Sequence, residues 1–175
     1  LGATADPSLK PELSPSRRPR VSQTMMSMVG PRFGSRATSW LDGHLIMSSG
    51  GHKRGAGLFL QNRHDFSLDR VLFVLNSGAL DGGGAYIHRC TKLAITRCTF
   101  LLNAAKWGGG LFLEACSDVT ISDCTFVLNF AVRDGGAVTI SDCSDVILTR
   151  NRFVGNVALR SARNVEHFTF HKERP

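Results

Sequence analysis

The sequence predicts an all-β fold, a right-handed parallel β-helix of about four coils with three short strands in each. Three observations predict it. A Phe-x-x-Asn tetrapeptide recurs at Phe73–Asn76, Phe100–Asn103, Phe126–Asn129 and Phe153–Asn156, at spacings of 27, 26 and 27 residues. A glycine cluster recurs in phase with it, at Gly55-Ala56-Gly57, Gly82-Gly83-Gly84, Gly108-Gly109-Gly110 and Gly135-Gly136-Ala137. Between the two marks apolar and polar residues alternate, which is the period of a strand with one buried face. Self-similarity at such a period is the mark of a stacked solenoid.

Aligned by repeat, the inward columns are nearly pure. They are Leu58/Ala85/Leu111/Val138, Leu60/Ile87/Leu113/Ile140, Phe66/Leu93/Val119/Val146, Leu68/Ile95/Ile121/Leu148 and Phe73/Phe100/Phe126/Phe153. Coils stack with each residue on its counterpart about 4.8 Å away, so like lies on like. Strands are expected near 84–88, 93–97 and 98–102 in the second repeat. Length varies only between the Asn and the following glycines, where a turn tolerates an extra residue and a stacked strand would lose its facing. Leucine-rich repeats share the period, but their leucine spacing and helical segment are missing.

The flanks read differently. Residues 1–39 are rich in Pro, Ser and Arg without an apolar period and are expected to be disordered. Residues 40–54 read as a degraded edge coil, 55–159 as the β-helix, and 160–175 as a basic tail. Residues 1–54 carry eight Lys/Arg against three Asp/Glu, the coils nine of each, and the tail four against two. The net charge of +7 therefore sits in the flanks. A neutral central body argues against a specific nucleic-acid site. No apolar run approaches the roughly 20 residues of a membrane span, and no secretory signal is visible. The chain begins with Leu1, as a fragment or processed piece would, and neighbouring coils of a longer parent are expected. With the ends poorly capped, the isolated chain is expected to associate through open strand edges.

Most of the polar signature has a structural reading. The column Asn76, Asn103, Asn129, Asn156 is expected to be a ladder of carboxamides bonded from coil to coil, with Asn tolerating left-handed backbone at the strand end. The glycines suit a tight turn and lack the spacing of a nucleotide-binding loop. The cysteines form two columns, Cys90/Cys116/Cys143 and Cys98/Cys124, read as buried stacked thiols. A disulfide between adjacent coils is the alternative.

Candidates for chemistry are few. Phe59, Tyr86 and Phe112 form an outward column, with Thr139 as fourth member. It reads either as packing beneath the N-terminal segment or another part of the parent chain, or as an exposed aromatic face for sugar rings or a protein partner. For catalysis the candidates are Asp65, Asp118 and Asp145, a column interrupted by Lys92, and the mixed column Arg70, Arg97, Asp123, Arg150. Neither clusters carboxylates as glycan cleavage requires. His167 and His171 lack the Glu of a zinc-helix motif. No cofactor, metal or catalytic residue is assigned.

The two tetrapeptides together resemble the repeats of chlamydial polymorphic outer membrane proteins, G-G-A-[I/L/V] alternating with F-x-x-N. The second occurs four times. The first occurs as Gly83-Gly84-Ala85-Tyr86, Gly109-Gly110-Leu111-Phe112 and Gly135-Gly136-Ala137-Val138, of which the last matches in full. The resemblance covers residues 55–159 and extends to pectate-lyase-like β-helices. It implies an extracellular or outer-membrane passenger that binds glycans or cell-surface proteins. A polysaccharide lyase or hydrolase acting on acidic glycans is the alternative.

Overall fold

A computed structural model describes residues 20–22, 26–29, 39–47, 53–78, 80–160 and 168–171. Its strands are all parallel, and each pairs with its counterpart one coil away. The coil containing residues 85–105 shows the plan. Ala85–His88 lies in the first sheet, Thr91–Thr96 in the second and Thr99–Leu101 in the third. The first and third sheets have six strands and the second has five. Register follows the repeats: Ala85 pairs with Leu111, Leu93 with Val119, and Phe100 with Phe126.

Three strands per coil were expected, and later coils add a fourth. Ala104–Ala105, Phe130–Ala131 and Val157–Ala158 form a small fourth sheet just after the Asn. Ala105 and Ala131 point inward and are buried, and their small side chains let the backbone run close to the core. Two residues are too short to show a period, so this strand left no pattern in the sequence.

Inward columns became the core. All members through the third coil are buried, while Val146, Leu148 and Phe153 of the last are partly covered. The phenylalanines stack face to face, with centroids 4.6 Å apart for Phe73–Phe100, 4.7 Å for Phe100–Phe126 and 5.1 Å for Phe126–Phe153. Such pairs add about 0.5–1.5 kcal/mol each beyond burial.

The asparagine ladder is present. Asn76 Nδ2 donates to Asn103 Oδ1 at 2.9 Å, Asn103 to Asn129 at 3.0 Å, and Asn129 to Asn156 at 2.8 Å. Each receiving Oδ1 also accepts the backbone N–H of the asparagine one coil before it. The second amide proton goes to a carbonyl one coil back, as in Asn103 Nδ2 to Phe73 O at 3.0 Å. One expectation is corrected here: the left-handed residue is not the Asn but its predecessor. Leu75, Leu102, Leu128 and Gly155 have φ of 56°, 54°, 52° and 59°. That reversal turns the Asn side chain inward.

Glycine is needed for two different reasons. Gly82 turns the chain at φ 62°. Gly84 is needed for closeness, since a Cβ there would lie 2.5 Å from Gly110 O in the next coil.

All five cysteines are free thiols, as the stacked reading expected, and not disulfides. The backbone N–H of Cys90 reaches Cys116 Sγ at 3.4 Å, and that of Cys116 reaches Cys143 Sγ at 3.3 Å. In the second column Asn151 replaces the thiol, and its Oδ1 accepts from Cys124 N at 2.9 Å. The hydrogen bond to Cys124 and then burial push the Cys98 thiol well up, so it stays protonated.

Outside the four coils the structure differs from expectation. Within the stretch expected to be disordered, Arg20–Ser22 pairs with His44–Met47 and Met26–Val29 with Leu58–Gln61. The edge coil at 40–54 is represented by Ser39–Asp42 and His44–Met47, stacked on the first full coil. In the basic tail, Phe168–His171 pairs with Val138–Ser141. An open parallel edge offers unpaired backbone groups to any extended segment, with or without an apolar period. The rest of residues 1–39 lies outside the described residues.

Replacing Asn103 by Ala removes acceptor and donors from a fully buried site. It is expected to cost about 2–4 kcal/mol in urea unfolding, because Asn76 and Phe73 O lose their partners. A change below 0.5 kcal/mol would mean the ladder is incidental.

Candidate functional site

The outward face of the first sheet gathers three columns. Strand register aligns Phe59, Tyr86, Phe112 and Thr139, and two residues on it aligns Gln61, His88, Glu114 and Ser141. The residues preceding the turn glycines stack beside them, with Arg54 bridged to Asp81 and Asp81 to Trp107.

The expected exposed aromatic column is corrected. The rings do stack, at 5.5 Å for Phe59–Tyr86 and 5.6 Å for Tyr86–Phe112. Phe59 is partly exposed, but Tyr86 is 1% and Phe112 8% exposed. Neighbouring polar side chains occupy the position a sugar would take. The Arg54 guanidinium lies 5.4 Å from the centre of the Tyr86 ring, and the His88 ring stacks beside it at 6.0 Å. The Tyr86 hydroxyl donates to Glu114 Oε2.

What results is a closed polar network. Arg54 Nε pairs with Asp81 Oδ2 at 2.8 Å. His88 Nδ1 lies 3.3 Å from Glu114 Oε2, without hydrogen-bond alignment. Burial raises the Asp81 carboxyl, opposed by Arg54 and reinforced by the charge of Glu114. Burial and the bond to Glu114 push the Tyr86 phenol well up, so it remains a donor. Burial lowers the His88 imidazole, against the pull of Glu114. Two carboxylates, an imidazole and a phenol are the parts of acid–base chemistry. Here the Tyr86 phenol is paired with Glu114 and the Asp81 carboxylate with Arg54, and Tyr86 and Asp81 are buried. Beside them Trp107 is flanked by Lys106 Nζ at 4.3 Å and Arg133 at 5.2 Å from its ring centre.

The acidic columns proposed for catalysis are positions of left-handed backbone, the first as the second residue of each second-sheet strand and the second just after it. Asp65, Lys92, Asp118 and Asp145 have φ of 56°, 52°, 55° and 53°, and Arg70, Arg97, Asp123 and Arg150 have φ of 51° to 55°. Asp is among the few side chains that tolerate this backbone. The second column also clasps coils together. Arg97 grips Asp69 through bonds of 2.8 and 2.6 Å, and Arg150 grips Asp123 at 2.7 and 2.8 Å. The Arg97 hydrogen bond holds Asp69 below the usual carboxylate range. No group of three metal-binding side chains occurs among the described residues. His167 lies outside them.

Arg54, Asp81, His88 and Glu114 were missed by the sequence reading. The column alignment that found Tyr86, carried two residues further, would have placed His88 on Glu114. Also missed was a second outward feature. Leu75, Leu102 and Leu128, the residues before each ladder Asn, are 52%, 43% and 51% exposed.

Stacked parallel coils around a carboxamide ladder define a β-helical solenoid protein. Residues 34–171, about four fifths of the chain, match the family described as right handed beta helix region, and the chain belongs to that family. No curated protein and no solved structure matches it. No helix among the described residues is long and apolar enough to cross a membrane, which says nothing of strands.

The lowered His88 gives a pH prediction. Folding disfavours its charged form, so the stability it contributes is present above the ordinary histidine value of about 6.5 and lost as pH falls below it. Titration by NMR is expected to place His88 below 6.5. Glu114→Gln should move it lower still, since Glu114 draws it upward. An upward move in that variant would contradict the arrangement.

Proposed function

We propose that this β-helix is a non-catalytic recognition segment of a surface or secreted protein, and that its outer surface binds protein. The observation that carries the reading is the row of exposed leucines. Left-handed backbone costs a non-glycine residue about 1–2 kcal/mol, and leucines that stay 43–52% exposed recover only part of that by burial. The same backbone at Asn62, Arg89 and Ala115 belongs to the coil, so what the leucine row adds is exposed apolar surface. A surface or outer-membrane address, with cell-surface proteins or glycans as partners and further coils of a longer parent beside this one, follows from the resemblance to the polymorphic outer membrane protein repeats. The aliphatic character of the exposed row favours protein over sugar.

A second reading, cleavage of acidic glycans by a pectate-lyase-like β-helix, is favoured by one observation. The Arg54–Asp81 and Tyr86–Glu114–His88 groups meet on one outer face. Incubation with polygalacturonate and other acidic glycans, with and without calcium, separates the two. No turnover is expected. Turnover abolished by Glu114→Gln with the fold intact would reverse the assignment.

Labelled chain is expected to bind cells through protein, so protease treatment of the cells removes binding and glycosidase treatment does not. Leu102→Asp with Leu128→Asp should weaken it. Leu102→Gly is expected to leave stability equal or raise it by about 0.5–1 kcal/mol in thermal unfolding, through relief of backbone strain, while binding falls. Loss of stability in that variant would show that the leucine serves the fold.

A further inference from the structure

We propose that the corner between the fourth sheet and the turn glycines binds an acidic segment of a partner protein, one whose carboxylates are interleaved with aliphatic side chains. The proposal rests on the protein-binding reading above and gives the partner's chemistry. Counted back from the turn glycines, Lys53, Leu80, Lys106 and Arg133 hold one place in successive coils, and Arg160 follows 27 residues after Arg133. The backbone joins the first four in one ladder. Leu80 N–H donates to Lys53 O, Lys106 N–H to Leu80 O and Arg133 N–H to Lys106 O. Lys53, Arg133 and Arg160 are exposed and Lys106 is half-buried. Adjacent coils lie about 4.8 Å apart, so these cations form one basic strip along the axis.

The strip's cations are held differently from others on the coils. Arg54, Arg70, Arg97 and Arg150 each lie 2.6–2.8 Å from a carboxylate oxygen. Lys106 and Arg133 instead converge on the Trp107 ring, 4.3 and 5.2 Å from its centre. A ring attracts a cation through its quadrupole without cancelling the charge. These two side chains are therefore ordered before a ligand arrives and still carry their charge, which lowers the cost of binding an anion. Asp81, in the next place along the chain from Leu80, is buried and paired with Arg54. Asp134, half-buried and next to Arg133 in the chain, offsets at most one of the strip's four charges.

The strip's surroundings select protein as the anion's carrier. Only the ladder Asn and the short fourth-sheet strand separate Lys106 from the exposed Leu102. In the next coil Phe130 and Val132, both exposed, lie between Leu128 and Arg133. Beyond the leucines, on the third sheet, Arg152 is exposed as well. The face is aliphatic in its middle and basic at its borders. A ligand that covers it must bring apolar side chains and anions together. Polysaccharide and nucleic-acid backbones bring anions without aliphatic side chains, and a neutral protein surface leaves the cations unmatched. An acidic, aliphatic peptide segment supplies both.

Fluorescence anisotropy of a labelled peptide in which pairs of Glu alternate with pairs of Leu tests this on the 175-residue chain. Saturable binding that weakens as salt rises is expected. The same peptide with Gln for every Glu should bind about tenfold or more weakly, and Lys106→Glu with Arg133→Glu should weaken binding of the original peptide as much. Arg89→Glu with Lys92→Glu, an equal change of charge beside the second sheet, should leave binding intact, with circular dichroism unchanged in both variants. Absence of binding overturns the proposal, and so does binding indifferent to the Lys106 and Arg133 substitutions. Polyglutamate, polygalacturonate or oligothymidylate binding as tightly as the mixed peptide overturns it too, since charge alone then suffices. Cell binding measured with the same variants keeps the two claims apart. Binding lost in the Leu102→Asp, Leu128→Asp chain but kept in the Lys106→Glu, Arg133→Glu chain removes only the acidic partner. Binding that survives protease treatment of the cells removes the recognition reading itself.

Discussion

Each inner asparagine of the ladder holds three neighbours at once. Its amide protons bind the next asparagine and a carbonyl one coil back, and its oxygen takes both an amide side chain and a backbone N–H. All this occurs at full burial, where an unpaired polar group costs about 1–3 kcal/mol. A coil slipped by one residue would leave every one of those groups unsatisfied and turn the apolar columns outward. The ladder thus fixes register, and the phenylalanine stack beside it fills the space that register creates. Spacing between repeats varies between the short fourth-sheet strand and the turn glycines, beyond the inward Ala105 and Ala131.

The corners follow from the same constraint. To bring the Asn inward at the end of a short strand, the residue before it must take left-handed backbone, and Leu75, Leu102 and Leu128 do so at a cost. Other left-handed positions hold Asp, Asn, Arg, Lys or, once, Ala115, and several of them clasp adjacent coils through paired carboxylate–guanidinium bonds. An acidic column on a β-helix therefore does not by itself indicate catalysis. The groups able to move protons lie elsewhere, on the first sheet, closed upon one another beneath Arg54.

Much of the fold was legible in the sequence because stacking is periodic. Five inward columns, the ladder and the thiol columns all announced themselves by residue type at fixed spacing. Phe59, Tyr86 and Phe112 were correctly aligned but misjudged as exposed, since burial of an outward ring depends on side chains such as Arg54 from the preceding turn. The fourth sheet was too short to carry a period. Leu102 escaped notice because it occupies a variable place in the Phe-x-x-Asn motif, and nothing in the residue type reveals φ. The terminal strands escaped notice because neither the glycine cluster nor the Phe-x-x-Asn tetrapeptide accompanies them. Function was least legible, because a solenoid spends its repeating residues on its own coils.

Hydrogen exchange of the asparagine carboxamides, followed by NMR on ¹⁵N-labelled chain, tests most directly whether the ladder organises the molecule. The side-chain amides of Asn76, Asn103 and Asn129 should be strongly protected and should exchange together with the backbone amides of the stacked strands. Carboxamide protons that exchange as fast as those of an exposed asparagine, while the strand amides remain protected, would show that the coils register without the ladder.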